Sequence, residues 1–240
     1  MANKQNEKSP NSVACLEQSI QLHLGSGLNF DEEWTNMDGS LGVLVAKTPG
    51  LHKLLSMFLG QQPFLNSKWD SRIIFHDFRK PLPYRNGSVS VIYSSHMLEH
   101  LFKSEQESLI SECYRVLIPN GLIRIVVPDL QYIVQQYLNF KTTKFNSRDE
   151  KSAADQFNRM MCSHPPSPYS GNLFYRCMKR FNSFQEHRWM HDAESLSLLL
   201  NLRGFQNTRI CKPFDSGIRN LAKVELNCGI DSVCVEAEHP

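Results

Sequence analysis

Very little in this 240-residue chain marks it out at once. Its charge is nearly balanced, 26 Lys and Arg against 24 Asp and Glu, for a formal net charge of +2. That balance gives no footing for a nucleic-acid groove or a membrane surface, which need clustered cations. Its seven cysteines (Cys15, Cys113, Cys162, Cys177, Cys211, Cys228, Cys234) contain no Cys-x-x-Cys, so neither a zinc knuckle nor a redox motif is written. Cys162-Ser163-His164 comes nearest to a metal pair, but no second pair completes it, and no metal is expected. No segment is long and apolar enough to span a bilayer. Met1 to Gln18 is polar and lacks the apolar stretch of a signal peptide, so a reducing cytoplasm is the expected location. Internal repeats are missing as well. What remains is an ordinary globular composition, 41% hydrophobic and 21% charged, on a chain long enough for one domain with a substantial core.

The most informative stretch is Ser19-Ile20-Gln21-Leu22-His23-Leu24-Gly25-Ser26-Gly27, an apolar-alternating run that ends in a Gly-x-Gly turn. It reads as a buried strand feeding a loop that lets a ligand approach, because glycine takes positive φ and carries no Cβ. Open α/β sheets bind nucleotide-like ligands at such a turn, at the C-terminal end of a first parallel strand. Thr35-Asn36-Met37-Asp38 reads as the second strand, with Asp38 placed to accept hydrogen bonds from two ribose hydroxyls. Asp38-Gly39 is also a favoured turn pair. The ten residues between Gly27 and Asp38 are short for a parallel crossover, so either the crossover is a single helical turn or the strands form a hairpin.

Residues 1–14 read as a disordered leader, followed by one domain over 15–240. Thr48-Pro49 opens a helix whose stripe of Leu51, Leu54, Leu55, Phe58 and Leu59 is expected to cover the sheet as core. Arg72 to His76 is a third strand ending at Asp77-Phe78, an acid and an aromatic that could grip an adenine or simply form a turn. Val89 to Ser94 is a fourth strand, with Ser95-His96-Met97-Leu98-Glu99-His100 at its C-terminal edge. Ser104-x-x-Glu107 reads as a capping box for a helix with a core face of Leu109, Ile110, Cys113, Val116 and Leu117. Asn120-Gly121 then turns the chain into the strand Leu122 to Val127. Strand, helix and strand with short turns imply a parallel sheet.

From about 130 to 185 two amphipathic helices and the stiff break His164-Pro165-Pro166-Ser167-Pro168 read as a cap over the sheet edge. Asp192 can cap the helix that follows His187-Arg188-Trp189-Met190-His191 and carries Leu196, Leu199 and Leu200. The runs Thr208 to Lys212 and Ser232 to Glu236 are the last two strands.

Together these positions resemble the class I S-adenosylmethionine-dependent methyltransferases. Within them the chain is similar to the small type 11 branch, which has a Leu-Asn-Leu-Gly-Cys-Gly first motif and an Arg-Lys-Pro-Leu-Pro-Phe segment. Here these are Leu22-His23-Leu24-Gly25-Ser26-Gly27 and Arg79-Lys80-Pro81-Leu82-Pro83-Tyr84. The resemblance runs from about Leu22 to Asp129 and resumes from His187 to Phe205. It implies a Rossmann-like sandwich: a mostly parallel seven-stranded sheet with an antiparallel last strand, interrupted by the cap. That branch shares the short loop before the second strand, with a tryptophan like Trp34, so the tight spacing becomes a family feature.

By the same resemblance S-adenosyl-L-methionine is the cofactor and S-adenosyl-L-homocysteine the product. The turn Leu24, Gly25, Ser26 and Gly27 would pass under the methionine part, and Asp38 would hold the ribose. Asp77 and Phe78 would contact the adenine, and Ser94 and Ser95 would line the end near the reactive methyl. His23 stands where many relatives have Asn or Asp, a position that often helps hold the cofactor's amino group. A hydroxyl acceptor must lose a proton, and histidine is suited to take it near neutrality. The candidate bases are His96, His187 and His191, while His100, within the family's Leu-Glu-His segment, reads as structural. No Asn/Asp-Pro-Pro-aromatic tetrapeptide or Pro-Cys pair marks a nucleic-acid methylase, and no acidic trio marks a magnesium site. The expected acceptor is therefore a small molecule, sugar or peptide, methylated at oxygen, with no nucleic-acid or membrane partner and the oligomeric state open. Two alternatives stand beside this: a catalytically silent binding or scaffold protein, and a nicotinamide-dependent oxidoreductase. The latter lacks its third glycine, since Phe30 stands at that position.

Overall fold

The computed structural model describes residues 20–48, 50–59, 67–143, 152–161 and 186–240. The leader at 1–14, the His164–Pro168 break and much of the 130–185 cap lie outside the described residues. Seven strands form one sheet in the order β3-β2-β1-β4-β5-β7-β6. They are β1 Ile20–Leu24, β2 Thr35–Asp38, β3 Ile74–Phe75, β4 Val89–Ser95, β5 Leu117–Pro128, β6 Gln206–Cys211 and β7 Ser232–Glu238. The first five run parallel, and β7 is antiparallel to both neighbours. This is the sheet implied by the resemblance. The β1–β2 pair settles the spacing question: the strands are parallel, with His23 opposite Asn36, and turns without a helix join them.

Strand order reverses between β1 and β4, and the crevice outside their C-terminal ends is where such sheets take ligands. Side chains alternate across the pleat and divide the core in two. On one face Leu22, Leu24, Ile92, Ile123 and Ile125 pack with helices α3 (Lys103–Val116) and α6 (Ala193–Leu202) through Leu109, Ile110, Leu196 and Leu200. On the other face Tyr93, Val126 and Cys234 pack with Trp34, Ile218, Leu221 and Val224, so the β6–β7 connection covers the sheet there.

Several local expectations are corrected. In the stripe on α2 (Leu51–Leu59), Leu54 is 50% exposed and Leu51 and Leu55 are only half-buried, while the side chains of Phe58 and Leu59 lie outside the described ones. The reason is α1 (Leu41–Lys47), which the sequence reading passed over. It buries Gly42, Val43 and Val45 beside β3 and leaves α2 to lie on α1. The third strand is two residues long and forms the sheet edge, with Ile74 and Phe75 exposed. Helix α3 begins one residue before Ser104, so the capping box is displaced. Glu105 reaches back to accept the Phe102 N–H at 2.8 Å, and Glu107 instead pairs with Arg203. At Asn120-Gly121 the chain bends as expected: Asn120 takes φ 62 and the register with β4 shifts between Leu117 and Leu122, while backbone bonds to His239 keep the segment within one strand. The cap's two helices, α4 (Leu130–Thr143) and α5 (Ala153–Met160), pack through Tyr137 and Phe157, whose rings lie 5.3 Å apart. Among the described residues no helix is long and apolar enough to cross a membrane.

Candidate active site

The glycine turn is held from below by β2. Gly25 and Ser26 both donate their N–H groups to the Met37 carbonyl, at 2.9 and 3.0 Å. Gly27 N–H donates to Asp38 Oδ2 at 2.8 Å, and Ser40 N–H donates to Oδ1 at 2.7 Å. The two glycines serve different needs. Gly25, at φ 72, packs so tightly that a Cβ there would lie 2.5 Å from the Met97 Cβ. Gly27, at φ 58, has nothing within 4 Å of that position, so glycine there serves backbone conformation and leaves open room.

These residues fit the cofactor expected from the resemblance. Each Asp38 oxygen accepts one backbone N–H, and an ionised carboxylate has about four acceptor sites, which leaves capacity for two ribose hydroxyls. Leu24 sits opposite Ser94 in register, which brings the turn against the end of β4. The buried hydroxyls of Ser26 and Ser94 have no hydrogen-bond partner among the described residues, and buried polar groups normally have one. Ser95 follows, half-buried.

Other predicted positions are placed differently. Asp77 is gripped by Arg79, Oδ1 to Nε at 2.8 Å and Oδ2 to Nη2 at 2.9 Å, which holds its carboxyl below the usual range. The Phe78 ring is buried with Met37 and Leu82. His23 is 2% exposed, beneath the turn, with Tyr93 at 5.2 Å and Trp34 at 6.4 Å between ring centroids. Burial drives its pKa down to about 4 against the opposing Asn36 side chain, so the ring is neutral.

The three candidate histidines separate clearly. His191 is sealed, with Nε2 on Gln106 Oε1 at 2.7 Å and Nδ1 on Ser195 Oγ at 3.1 Å. Both nitrogens are engaged, and burial lowers its pKa. His96 and His187 converge on Glu99, a residue the sequence reading left aside. Glu99 is 1% exposed, and His96 Nδ1 lies 3.6 Å from its Oε1, His187 Nε2 3.9 Å and His100 Nε2 3.9 Å. His96 adopts φ 50, unusual for a side chain of this size, and its Nε2 lies 2.8 Å from the Asn227 carbonyl. Burial opposes its charge, but Glu99 and Asn227 outweigh that and raise its pKa. For His187 burial prevails and its pKa is lowered. The signal for this cluster was half-visible as His96-x-x-Glu99-His100, but His187 joins it only through the fold.

Residues 49–125 match the Methyltransf_11 family model, a methyltransferase domain. No curated protein matches the sequence. Among solved structures, the chain is similar to an S-adenosylmethionine-dependent methyltransferase from Archaeoglobus fulgidus at 14% identity, covering 92% of this chain and 86% of that one, with a TM-score of 0.45. It is also similar to one from Aquifex aeolicus at 11% identity, covering 93% and 84%, with a TM-score of 0.42. Human N-acetylserotonin methyltransferase in complex with its cofactor aligns at 15% identity, over 91% of this chain and 47% of that one, with a TM-score of 0.39. The matched segment, less than half the chain, spans β3, β4, α3 and the start of β5. Over residues 49–125 the chain is thus similar to a methyltransferase domain, and the sheet around that segment is seven-stranded and mostly parallel.

Proposed function

We propose that this protein transfers a methyl group from S-adenosylmethionine to an oxygen of a small-molecule, sugar or peptide acceptor. The observation that supports this most directly is the Gly25-Ser26-Gly27 turn clamped to Asp38 at the switch point, beside the unpartnered hydroxyls of Ser26 and Ser94. When bound, the cofactor supplies an electrophilic methyl on a sulfonium. The chain's task is to hold the acceptor in line with it, and such positioning supplies much of a transfer's rate. Asp38 accepts from the ribose hydroxyls, the turn passes under the methionine part, and Ser94 and Ser95 line the end nearest the acceptor. Asp77 reaches the adenine amine only with the lone pairs that Arg79 leaves free.

Of the candidate bases, His96 fits best. It stands one residue beyond Ser95, and its side chain keeps 32% exposure, whereas His191 is sealed and His187 is 10% exposed. Its Nε2–H donates to the Asn227 carbonyl, which leaves Nδ1 to take the acceptor's proton next to the Glu99 carboxylate.

Calorimetric titration with S-adenosylmethionine and S-adenosylhomocysteine tests the site. Wild type is expected to bind both in the micromolar range. Asp38→Ala is expected to lose at least about tenfold, since each hydrogen bond to a charged group is worth about 1.5–3 kcal/mol. Asp38→Asn, which keeps the size but not the pair of acceptors, should fall between them. Once a hydroxylated acceptor is found, His96→Gln should lower turnover by about 100-fold or more and leave cofactor affinity unchanged. Binding without turnover on any acceptor would make this a silent binding protein, and no binding of either ligand would remove the cofactor reading.

A further inference from the structure

Past the C-terminal edge of β4, His96, His100 and His187 each bring a ring nitrogen to Glu99, and methyl transfer gives no reason for the last two. Glu99 is on the 3₁₀ turn Leu98–His100 and is 1% exposed. Neither of its oxygens has a hydrogen-bond partner among the described residues. A carboxyl group buried in this state is expensive, because in exchange for water it has only imidazole nitrogens, the nearest being His96 Nδ1 at 3.6 Å. The nearest groups are imidazole nitrogens, and their proton states make the problem sharper. His100 Nδ1 lies 3.2 Å from the Glu186 carbonyl, so that nitrogen carries the proton and donates it. Its Nε2 faces Glu99 Oε1, 3.9 Å away. His187 brings its Nε2 to the same oxygen at 3.9 Å. Three imidazole nitrogens thus surround one buried carboxyl oxygen.

One donor atom from each of Glu99, His100 and His187 lies within 4.8 Å of the other two. Around a tetrahedral zinc, with bonds of about 2.0–2.1 Å, neighbouring ligand atoms stand about 3.3 Å apart. The two 3.9 Å separations therefore exceed the ligand spacing by about 0.6 Å, and the two imidazole nitrogens lie within 4.8 Å of each other. The bond from His100 Nδ1 to a backbone carbonyl is the outer contact that fixes the tautomer of a metal-binding histidine. The frame is already in place: Arg188 and Trp189 N–H groups donate to the Glu99 carbonyl at 2.7 and 3.3 Å and dock the His187 segment on the turn.

We infer that Glu99 Oε1, His100 Nε2 and His187 Nε2 form a binding site for a divalent first-row transition ion. Two imidazoles and one carboxylate are a borderline donor set that suits zinc, iron(II) or cobalt(II) and leaves coordination positions open. His96 Nδ1, 3.6 Å from the same carboxylate oxygen, stands next to the site. The ion would join the turn after β4 to the segment that returns from the cap.

The competing thiol cluster is Glu225, Cys228 and Cys234, whose donor atoms are also within 4.8 Å of one another. There Glu225 is already matched by Arg124, at 2.8 and 3.1 Å, so it carries no comparable unmet charge. The test therefore separates nitrogen from sulfur ligands. The full chain, stripped by chelator dialysis, is titrated with Zn²⁺ against a chromophoric competitor and separately loaded with Co²⁺. Expected is one tight equivalent of zinc, and a cobalt spectrum with visible d–d bands but no near-ultraviolet thiolate charge-transfer band. His100→Ala and His187→Ala should each weaken binding by about 100-fold or more, with Glu99→Gln close behind, while Cys228→Ser leaves it unchanged. Melting curves of the metal-free variants show whether each is folded, and the wild-type cobalt spectrum decides the ligand type without any variant. Absence of zinc binding at micromolar concentration, or binding lost in Cys228→Ser and kept in His187→Ala, overturns the assignment. Cofactor titration is read separately, so failure here leaves the methyltransferase reading standing.

Discussion

His23 pays for its position in protons. In the unfolded chain its imidazole titrates near 6.5, and in the folded protein burial moves that to about 4. Between these values the unfolded state binds more protons, so stability is complete above pH 6.5 and is lost as pH falls toward 4. The 2.5-unit gap corresponds to about 3 kcal/mol. His187 and His191 have lowered pKa values and act in the same direction, so the contribution of His23 is read by difference. His23→Asn should flatten the dependence between pH 6.5 and 4.5 by about 2 kcal/mol of unfolding free energy in urea. A variant with the same acid sensitivity as wild type would show that the ring is not buried in its neutral form. His96 carries another cost, a positive φ that for a non-glycine residue is worth about 1–3 kcal/mol. It is held there by its own N–H on the Val126 carbonyl at 2.9 Å and its Nε2 on Asn227.

The β6–β7 connection behaves as a structural element although it contains only a 3₁₀ turn, Leu221–Lys223. It covers the sheet face that carries Tyr93 and Arg124, and Arg124 fixes it there. That guanidinium is fully buried, binds Glu225 through Nε and Nη2, and donates to the carbonyls of Lys212 and Asp215 at 3.0 and 3.2 Å. Glu236, opposite Arg124 in register, takes a weaker contact at 3.4 Å and is held also by Arg209. Removing one partner from such a pair leaves a buried, uncompensated charge, so Arg124→Ala should destabilise by about 3–5 kcal/mol in urea. The double variant Arg124→Met, Glu225→Leu should recover most of that loss. Recovery would show that the pair selects a conformation more than it adds stability.

At the scale of the whole molecule, the features readable in sequence were those carried by local pattern. Leu22 to Gly27, Asp38 and the β4 edge were legible because strand alternation, glycine and a terminal acid fall at fixed spacing. The α2 stripe misled because amphipathic spacing names a face without naming its neighbour, and α1 had taken that place. The capping box slipped because two acids stand two residues apart, and only the backbone decides that Glu105 is the one that reaches Phe102. Glu99 and His187 are separated by 88 positions, and Arg124 and Glu225 by 101, so no local reading could join them. The helix-free link between β1 and β2 has a further consequence for how the chain comes together in time. Its acids Asp31 and Glu33 meet Lys223, 190 positions later in the case of Glu33, and the Trp34 face is closed by Ile218, Leu221 and Val224. A chain leaving the ribosome has its glycine turn long before residues near 224, and the sheet beneath stays uncovered until those residues emerge. Folding is therefore dominated by late, long-range closure, which is slow and leaves the growing chain dependent on protection from aggregation.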